Sequence, residues 1–334
     1  MTVVHASRQE SPADLTDSEG VRFVRLDRPQ AAVNVVMSAS EPIVHLHGVW
    51  DPIVRSVASG CARQGVPAVI SSHGMLHPCA LRKSWFKKRA YLALFPTVLR
   101  WPAELLCLNS EEAGWAKDNL GAHATVATPG IEPSDFDVDP HTLPTQSPWI
   151  NAGEQMALFV GRLEPIKGVD RLIDAFRMAR HSARLRLVIA GPDQGELSSL
   201  IRQCKRSGLA DRVHFLGFVH PPQRLRLLRE ASLYVHRPRY EGFGIAVVEA
   251  MAARLPVLTT AACKLPGAAE GGALRCVADD SRTFSEQLDL LMDDEAERRA
   301  LGLRGRSWVE ANLSWDSVLR VHDGAYRRAA NRRR

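Results

Sequence analysis

The chain has 334 residues, room for about two domains at ~150 residues each. Hydrophobic residues make up 45%, charged residues 24% and aromatics 6%, which excludes disordered, collagen-like and coiled-coil classes. Lys and Arg outnumber Asp and Glu by 43 to 37, a net charge of +6. No apolar run reaches the ~18 residues of a membrane-spanning helix. The opening MTVVHASRQESPADL lacks the basic and apolar regions of a secretory signal. An intracellular, two-domain protein is expected.

In chain order, the first half alternates short apolar runs with amphipathic stretches. Strands are predicted at Thr2–His5, Val21–Leu26, Ile43–His47, Ala68–Ser71, Leu105–Leu108 and Ala124–Thr128. Pro52–Gln64 reads as a helix, with Ile53, Val57 and Cys61 on one face. A polar stretch bearing Pro133, Pro140, Pro144 and Pro148 reads as a linker.

The alternation then restarts, with strands Met156–Val160, Leu185–Ala190, Val213–Leu216, Leu233–His236 and Pro256–Thr259. Helices Val169–Arg180, Glu196–Ser207, Gln223–Glu230 and Ile245–Ala253 fall between them, and the rest is mostly helical. The expected fold class is α/β, with two facing, doubly wound parallel domains. Their limits are 1–132 and 154–313, joined by a linker at 133–153. A C-terminal helix and basic tail, 314–334, are expected to cross back to the first domain. Ligands of such sheets sit at the carboxyl ends of the strands, so the cleft between domains is the expected site.

The six cysteines, Cys61, Cys79, Cys107, Cys204, Cys263 and Cys276, form no C-x-x-C pair and read as buried reduced thiols. Arg82, Lys83, Lys87, Lys88 and Arg89 interleave with Trp85, Phe86 and Tyr91; Arg327, Arg328 and Arg332–Arg334 form a second basic cluster. The first cluster suits a solvated face or an anionic membrane surface, and nucleic acid ranks last.

Three stretches of the second half carry chemistry. They are Phe159-Val-Gly-Arg-Leu-Glu-Pro-Ile-Lys-Gly168, Leu187-Val-Ile-Ala-Gly-Pro192 and Tyr240-Glu-Gly-Phe-Gly-Ile-Ala-Val-Val-Glu-Ala-Met251. Gly242 and Gly244 let a backbone approach a ligand, and the helix that follows points its N-terminal N–H groups at it. Arg162 and Lys167 add positive charge beside an anion. Glu241 and Glu249 would be repelled by a phosphate unless they serve hydroxyls. A nucleotide sugar satisfies both demands. Each residue also has a plain reading: loop charges for Arg162 and Lys167, helix acids for Glu241 and Glu249, a strand-end histidine for His73.

These stretches resemble the retaining GT-B glycosyltransferases of family 4, the glycosyl transferases group 1 type, over roughly residues 40–320. The E-x7-E pattern is present as Glu241 and Glu249. The resemblance implies that Arg162 and Lys167 hold the donor diphosphate, with Glu249 on the ribose and Glu241 on the transferred sugar. It further implies that Gly242, Phe243 and Gly244 surround sugar and phosphates, and that His214–Val219, including Phe218 and Val219, line the base pocket. His73 matches the histidine that faces the reaction centre from the acceptor side. The implied function is retaining transfer of a hexose from a UDP- or GDP-linked donor to a surface-polysaccharide or lipid-linked glycan acceptor. No cofactor, metal or nucleic acid is expected. A cytoplasmic location is implied, at the inner membrane face through Arg82–Tyr91.

His45 and His47 share a strand face, and packing with hydrogen bonding is a better reading for them than a metal. Asp137-Val-Asp139 spells a D-x-D metal motif but lies in the linker, so it is set aside. Relatives begin with a strand, a glycine-rich loop and a long helix that have no counterpart before Ile43. Arg254 and Gly267 also depart from the family pattern, occupying positions usual for glycine and an acid. The alternative reading is therefore a catalytically impaired or truncated nucleotide-sugar-binding remnant.

Overall fold

The computed structural model describes residues 2–5, 22–25, 29–38, 42–82, 84–95, 104–138, 153–180, 184–265 and 267–332. Most of the expected linker, with Asp139, lies outside the described residues, as does Lys83. Two units emerge: Met1–Thr128 together with Leu319–Arg334, and Pro129–Val318.

The first unit is built on four parallel strands in sequential order, β3 (Val44–His47), β4 (Ala68–Ser71), β5 (Glu104–Cys107) and β6 (His123–Val126). The preceding strands β1 (Thr2–His5) and β2 (Arg22–Arg25) pair in parallel with each other. Among the described residues no ladder joins that pair to the four-stranded sheet. A helix absent from the sequence reading, α1 (Pro29–Met37), packs Val33 and Val36 beside Val57 and Cys61 of α2 (Pro52–Gln64). Helix α2 starts where the Asp51 side chain accepts from the Ile53 N–H and stops at left-handed Gly65, so its limits follow from its caps.

Helices α3 (Pro78–Arg82) and α4 (Trp85–Leu94) link β4 to β5, and α5 (Ser110–Leu120) links β5 to β6. The sheet's buried residues Val69 and Leu106 meet Ala325 and Ala329 of the C-terminal helix, α12 (Trp315–Asn331). Small alanines allow that close approach. Glu104, 2% exposed, pairs with Arg328 at 2.9 Å and Arg332 at 3.0 Å, so part of the basic tail is an internal anchor.

The second unit holds six parallel strands in the order β12-β11-β10-β7-β8-β9. Their spans are β7 (Gln155–Val160), β8 (Leu185–Ala190), β9 (Val213–Gly217), β10 (Leu233–His236), β11 (Val257–Thr260) and β12 (Arg275–Val277). Strand β12, three residues long and partly exposed, lacks an apolar run and escaped the sequence reading. The covering helices are α6 (Val169–Met178), α7 (Leu197–Arg206), α8 (Pro221–Glu230), α9 (Ile245–Ala252), α10 (Ser281–Asp293) and α11 (Glu295–Leu313). Phe159, Leu187, Ile189 and Val235 meet Ile173 and Phe176 of α6 in the core. Strand order reverses at β7, which pairs with β8 on one side and β10 on the other. The loops leaving β7 and β10 diverge there, which is where open α/β sheets bind ligands.

The cysteine expectation needs a correction. Cys61, Cys107, Cys204 and Cys263 are buried, but Cys276 is exposed and Cys79 partly so. Cys276 sits on the short strand β12, which is the edge of the six-stranded sheet among the described residues.

Candidate functional site

The loop after β7 carries Arg162 and Lys167 from the strand end into a short 3-10 turn, Pro165–Lys167. Gly168 closes that turn at φ +65, and a Cβ there would lie 2.2 Å from the Arg237 carbonyl oxygen. Only glycine lets the turn sit against the β10 loop, and this contact delivers Lys167 to Glu241. Lys167 Nζ donates to Glu241 Oε2 at 2.6 Å, with both side chains mostly buried.

Glu241 also accepts from His236 Nε2 at 3.3 Å, on the last residue of β10. Burial works against the Glu241 charge, but the hydrogen bond from His236 and the Lys167 charge outweigh it, bringing its pKa down to about 2. His236 is itself buried, and burial lowers its pKa, so at neutral pH it is an uncharged donor. The sequence reading missed His236. Its signal is position, the final residue of a buried strand next to the switch point.

Glu241 is held by its backbone as well, its N–H donating to Ala262 O and its carbonyl accepting from the Lys264 N–H. Three residues on, Gly244 at φ +75 opens α9. A Cβ there would meet Cys263 Sγ at 3.1 Å and Glu241 Cγ at 3.3 Å. Phe243 is buried beside it. The α9 N-terminus and the Lys167 ammonium thus converge on Glu241 from two loops, a setting that attracts anions.

Glu249, in the second turn of α9, is 8% exposed and pairs with Arg224 of α8 at 3.1 Å. Burial raises its pKa, and the Arg224 charge partly offsets this. Arg224 is a second residue the sequence reading passed over. Arg162 does not join Lys167: it is well exposed and pairs with Glu164 at 2.8 Å. Phe218 and Val219 follow β9, with Phe218 64% exposed and edge-on to His220 at 5.1 Å. A flat ring left in solvent at a strand's carboxyl end offers a stacking surface.

Arg254 has φ +60, a left-handed conformation strained for a residue with a Cβ, and its guanidinium pairs with Asp137. Asp137 also accepts from Arg306 at 2.7 Å. The first acid of the D-x-D motif is thus committed to two arginines. Among the described residues no group of three or more His, Cys, Asp or Glu is arranged to hold a metal.

In the first unit, His73 follows β4 at φ +51, strained for a residue with a Cβ. Its Nε2 lies 2.9 Å from His47 Nδ1, at the end of β3. Farther along the same unit, Pro78, Leu81, Leu92, Trp115 and Leu120 line a cavity of about 800 Å³ rimmed by Arg82, Lys88 and Arg89. Trp85 and Phe86 are exposed beside it.

A family profile described as Glycosyl transferases group 1 matches residues 145–308, within the second unit. That stretch, just under half of the chain, is similar to the glycosyl transferases group 1 family. An uncharacterized glycosyltransferase of Methanocaldococcus jannaschii is 29% identical over 215 residues, 59% of this chain and 52% of that protein. The chain spans about half the length, or less, of the curated relatives it matches. Sucrose-phosphate synthase from Thermosynechococcus elongatus superposes with a TM-score of 0.74 at 17% identity, over 97% of this chain and 88% of that one. WaaG, a glycosyltransferase involved in lipopolysaccharide biosynthesis, superposes with a TM-score of 0.63 at 18% identity, over 90% and 94% of the two chains. The fold is the α/β GT-B type, as the sequence motifs led one to expect.

Proposed function

We propose that this chain is a glycosyltransferase that moves a hexose, with retention of anomeric configuration and without a metal, from a UDP- or GDP-linked sugar to a surface-polysaccharide or lipid-linked glycan acceptor. The observation that carries the donor half is the Lys167–Glu241 pair beside the N-terminus of α9. A diphosphate arriving there meets a cation and a helix dipole that bear on the leaving charge, while Glu241 and Glu249 accept from sugar hydroxyls. Electrostatic stabilisation of this kind is worth about 3–4 kcal/mol per well-placed group. Arg162, exposed on the same loop, is free to swing from Glu164 onto the phosphates. The departing phosphate takes the acceptor's proton, so the scheme requires no protein base.

The acceptor half rests on the first unit. From Pro52 to Ala103 the sequence contains no Asp or Glu. The basic rim and apolar floor beside α4 therefore suit an anionic lipid surface, as expected of an enzyme that works on a lipid-linked acceptor at the inner membrane face. The lipopolysaccharide role of WaaG supports the same class of acceptor.

The deciding experiment titrates the purified chain with UDP, GDP, ADP and their hexose conjugates while following thermal unfolding, then assays sugar transfer. A nucleotide at ~100 times its dissociation constant adds about 2.7 kcal/mol of stability. A shift with one base, plus transfer with retained configuration that Lys167→Ala cuts at least tenfold, is the expected result. No shift from any nucleotide would overturn the donor reading. A second reading, donor binding without turnover, is favoured by Arg162, which pairs with Glu164 and does not join Lys167. A shift with no detectable transfer would establish it.

A further inference from the structure

The first unit contains a column of rings that the proposed chemistry does not use. His45 and His47, on the same face of β3, stack with centroids 4.4 Å apart, and His47 meets His73 edge to edge, the planes 16° apart and the centroids 5.2 Å apart. Below them, His45 is fully engaged: Nδ1 lies 2.7 Å from the Tyr326 hydroxyl and Nε2 lies 2.8 Å from Ser71 Oγ. Tyr326 comes from α12 and Ser71 ends β4, so three elements fix the His45 ring. The plane of His47 is set in turn by stacking on it. His47 Nδ1 and His73 Nε2 then meet at 2.9 Å, a distance that needs one hydrogen between them.

That single shared hydrogen has a consequence for the free edges. A neutral imidazole carries one N–H. If His47 donates, His73 carries its own hydrogen on Nδ1 and His47 Nε2 is a lone pair. If His73 donates, the two free edges exchange roles. One outer nitrogen is therefore always a donor and the other an acceptor, and moving the bridging hydrogen reverses both. We propose that His47 is a positioning residue for His73: it couples the two imidazoles into one donor–acceptor unit, so that the outer nitrogen of His73 is a donor when that of His47 is an acceptor, and the reverse. This rests on His73 facing a hydroxyl-bearing acceptor, the place that the family resemblance implies for it.

The electrostatics agree with a neutral pair at pH 7. Burial lowers the pKa of His45 to about 4, with His47, His322 and His73 adding to the effect. Burial likewise lowers His47, reinforced by His73 and His322, and lowers His73 against the opposing charge of Glu112. The groups that face the pair are thus His45 on β3, Glu112 on α5 and His322 on α12, with the Tyr326 and Ser71 hydroxyls behind. The strained backbone at His73 is what brings its ring within reach of β3.

Two variants separate this role from simple packing. His47→Phe keeps a stacking ring and removes the nitrogen, whereas His47→Asn places an amide where Nδ1 stood. Nitrogen-15 imidazole spectra of the ligand-free 334-residue chain report the tautomer of His73 directly. The expected result is that His47→Phe shifts the two His73 nitrogens toward the values of a freely exchanging imidazole, and that His47→Asn leaves them near wild type. In the transfer assay, His47→Phe lowers kcat at least tenfold with the donor KM unchanged, and His47→Asn recovers most of the loss. Unchanged His73 spectra in His47→Phe would overturn the coupling. So would equal kcat losses in both variants. If the spectra respond as expected but no preparation transfers sugar, the transferase reading fails and the coupling stands.

Discussion

Gly244 shows how much of the site depends on one missing side-chain atom. Its φ of +75 costs an L-residue about 1–2 kcal/mol, and the added Cβ would press on Cys263 and on Glu241 itself. Gly244→Ala should therefore lower stability by about 1–3 kcal/mol and weaken nucleotide-sugar binding through a displaced Glu241. Urea unfolding and donor titration on the same preparation check both halves; an unchanged donor affinity would show that Glu241 does not meet the sugar. The charges nearby set a pH dependence. Glu241 titrates at about 2 in the folded chain, below the ordinary carboxylate value, so its stabilising contribution is complete above that value and disappears only as pH falls toward 2. The buried histidines act at milder acidity. His45 titrates at about 4 when folded, and His47, His73 and His236 are also lowered, so the unfolded chain gains protons first. Stability should be flat above pH 7 and drop as pH falls from about 6.5 toward 4. Urea midpoints at pH 7.5 and 5 test this; equal midpoints would show these rings to be solvated in the folded chain.

At the scale of elements, α4 is the segment whose composition makes least sense as ordinary surface. Its first turn exposes Trp85 and Phe86, its cations Lys87, Lys88 and Arg89 have no acid within the helix, and Lys88 and Arg89 lie over the rings of Trp50 and Trp85. An anionic lipid surface attracts each such cation by about 1 kcal/mol, and the aromatic rings add interfacial burial. Vesicles with anionic lipid should retain the chain at low salt and release it at high salt, while zwitterionic vesicles should not bind. Replacing Lys87, Lys88 and Arg89 by glutamine should reduce retention at least tenfold. Equal binding of wild type and variant would assign the segment to a solvated face. The arginine tail illustrates the opposite case. It looks like a free basic tail in sequence, yet Arg328 and Arg332 neutralise Glu104 inside the first unit.

For the molecule as a whole, legibility followed the length of the contacts involved. Helix α2 and the six-stranded unit were readable because caps, apolar periodicity and glycines lie within a few residues of what they control. The Lys167–Glu241 pair spans 74 residues, and the His45–Tyr326 contact spans 281, so neither leaves a local signature. Arg224 was missed for the same reason, since it reaches Glu249 from a different helix, whereas His236 lies close to Glu241 in sequence and reads simply as the buried end of a strand. That division of labour gives a last prediction. If the second unit alone carries the donor, nucleotide binding should slow amide exchange in the loops at 161–168 and 240–249, whose ends it would cross-link by way of Lys167 and the α9 N–H groups. The four-stranded core of the first unit, around Ile70 and Leu105, shares none of those contacts and should exchange at its ligand-free rate. Hydrogen exchange with saturating UDP or GDP reads both regions at once. Slowing confined to the first unit would mean that the nucleotide binds elsewhere, and the Lys167–Glu241 loop would then be a structural clasp.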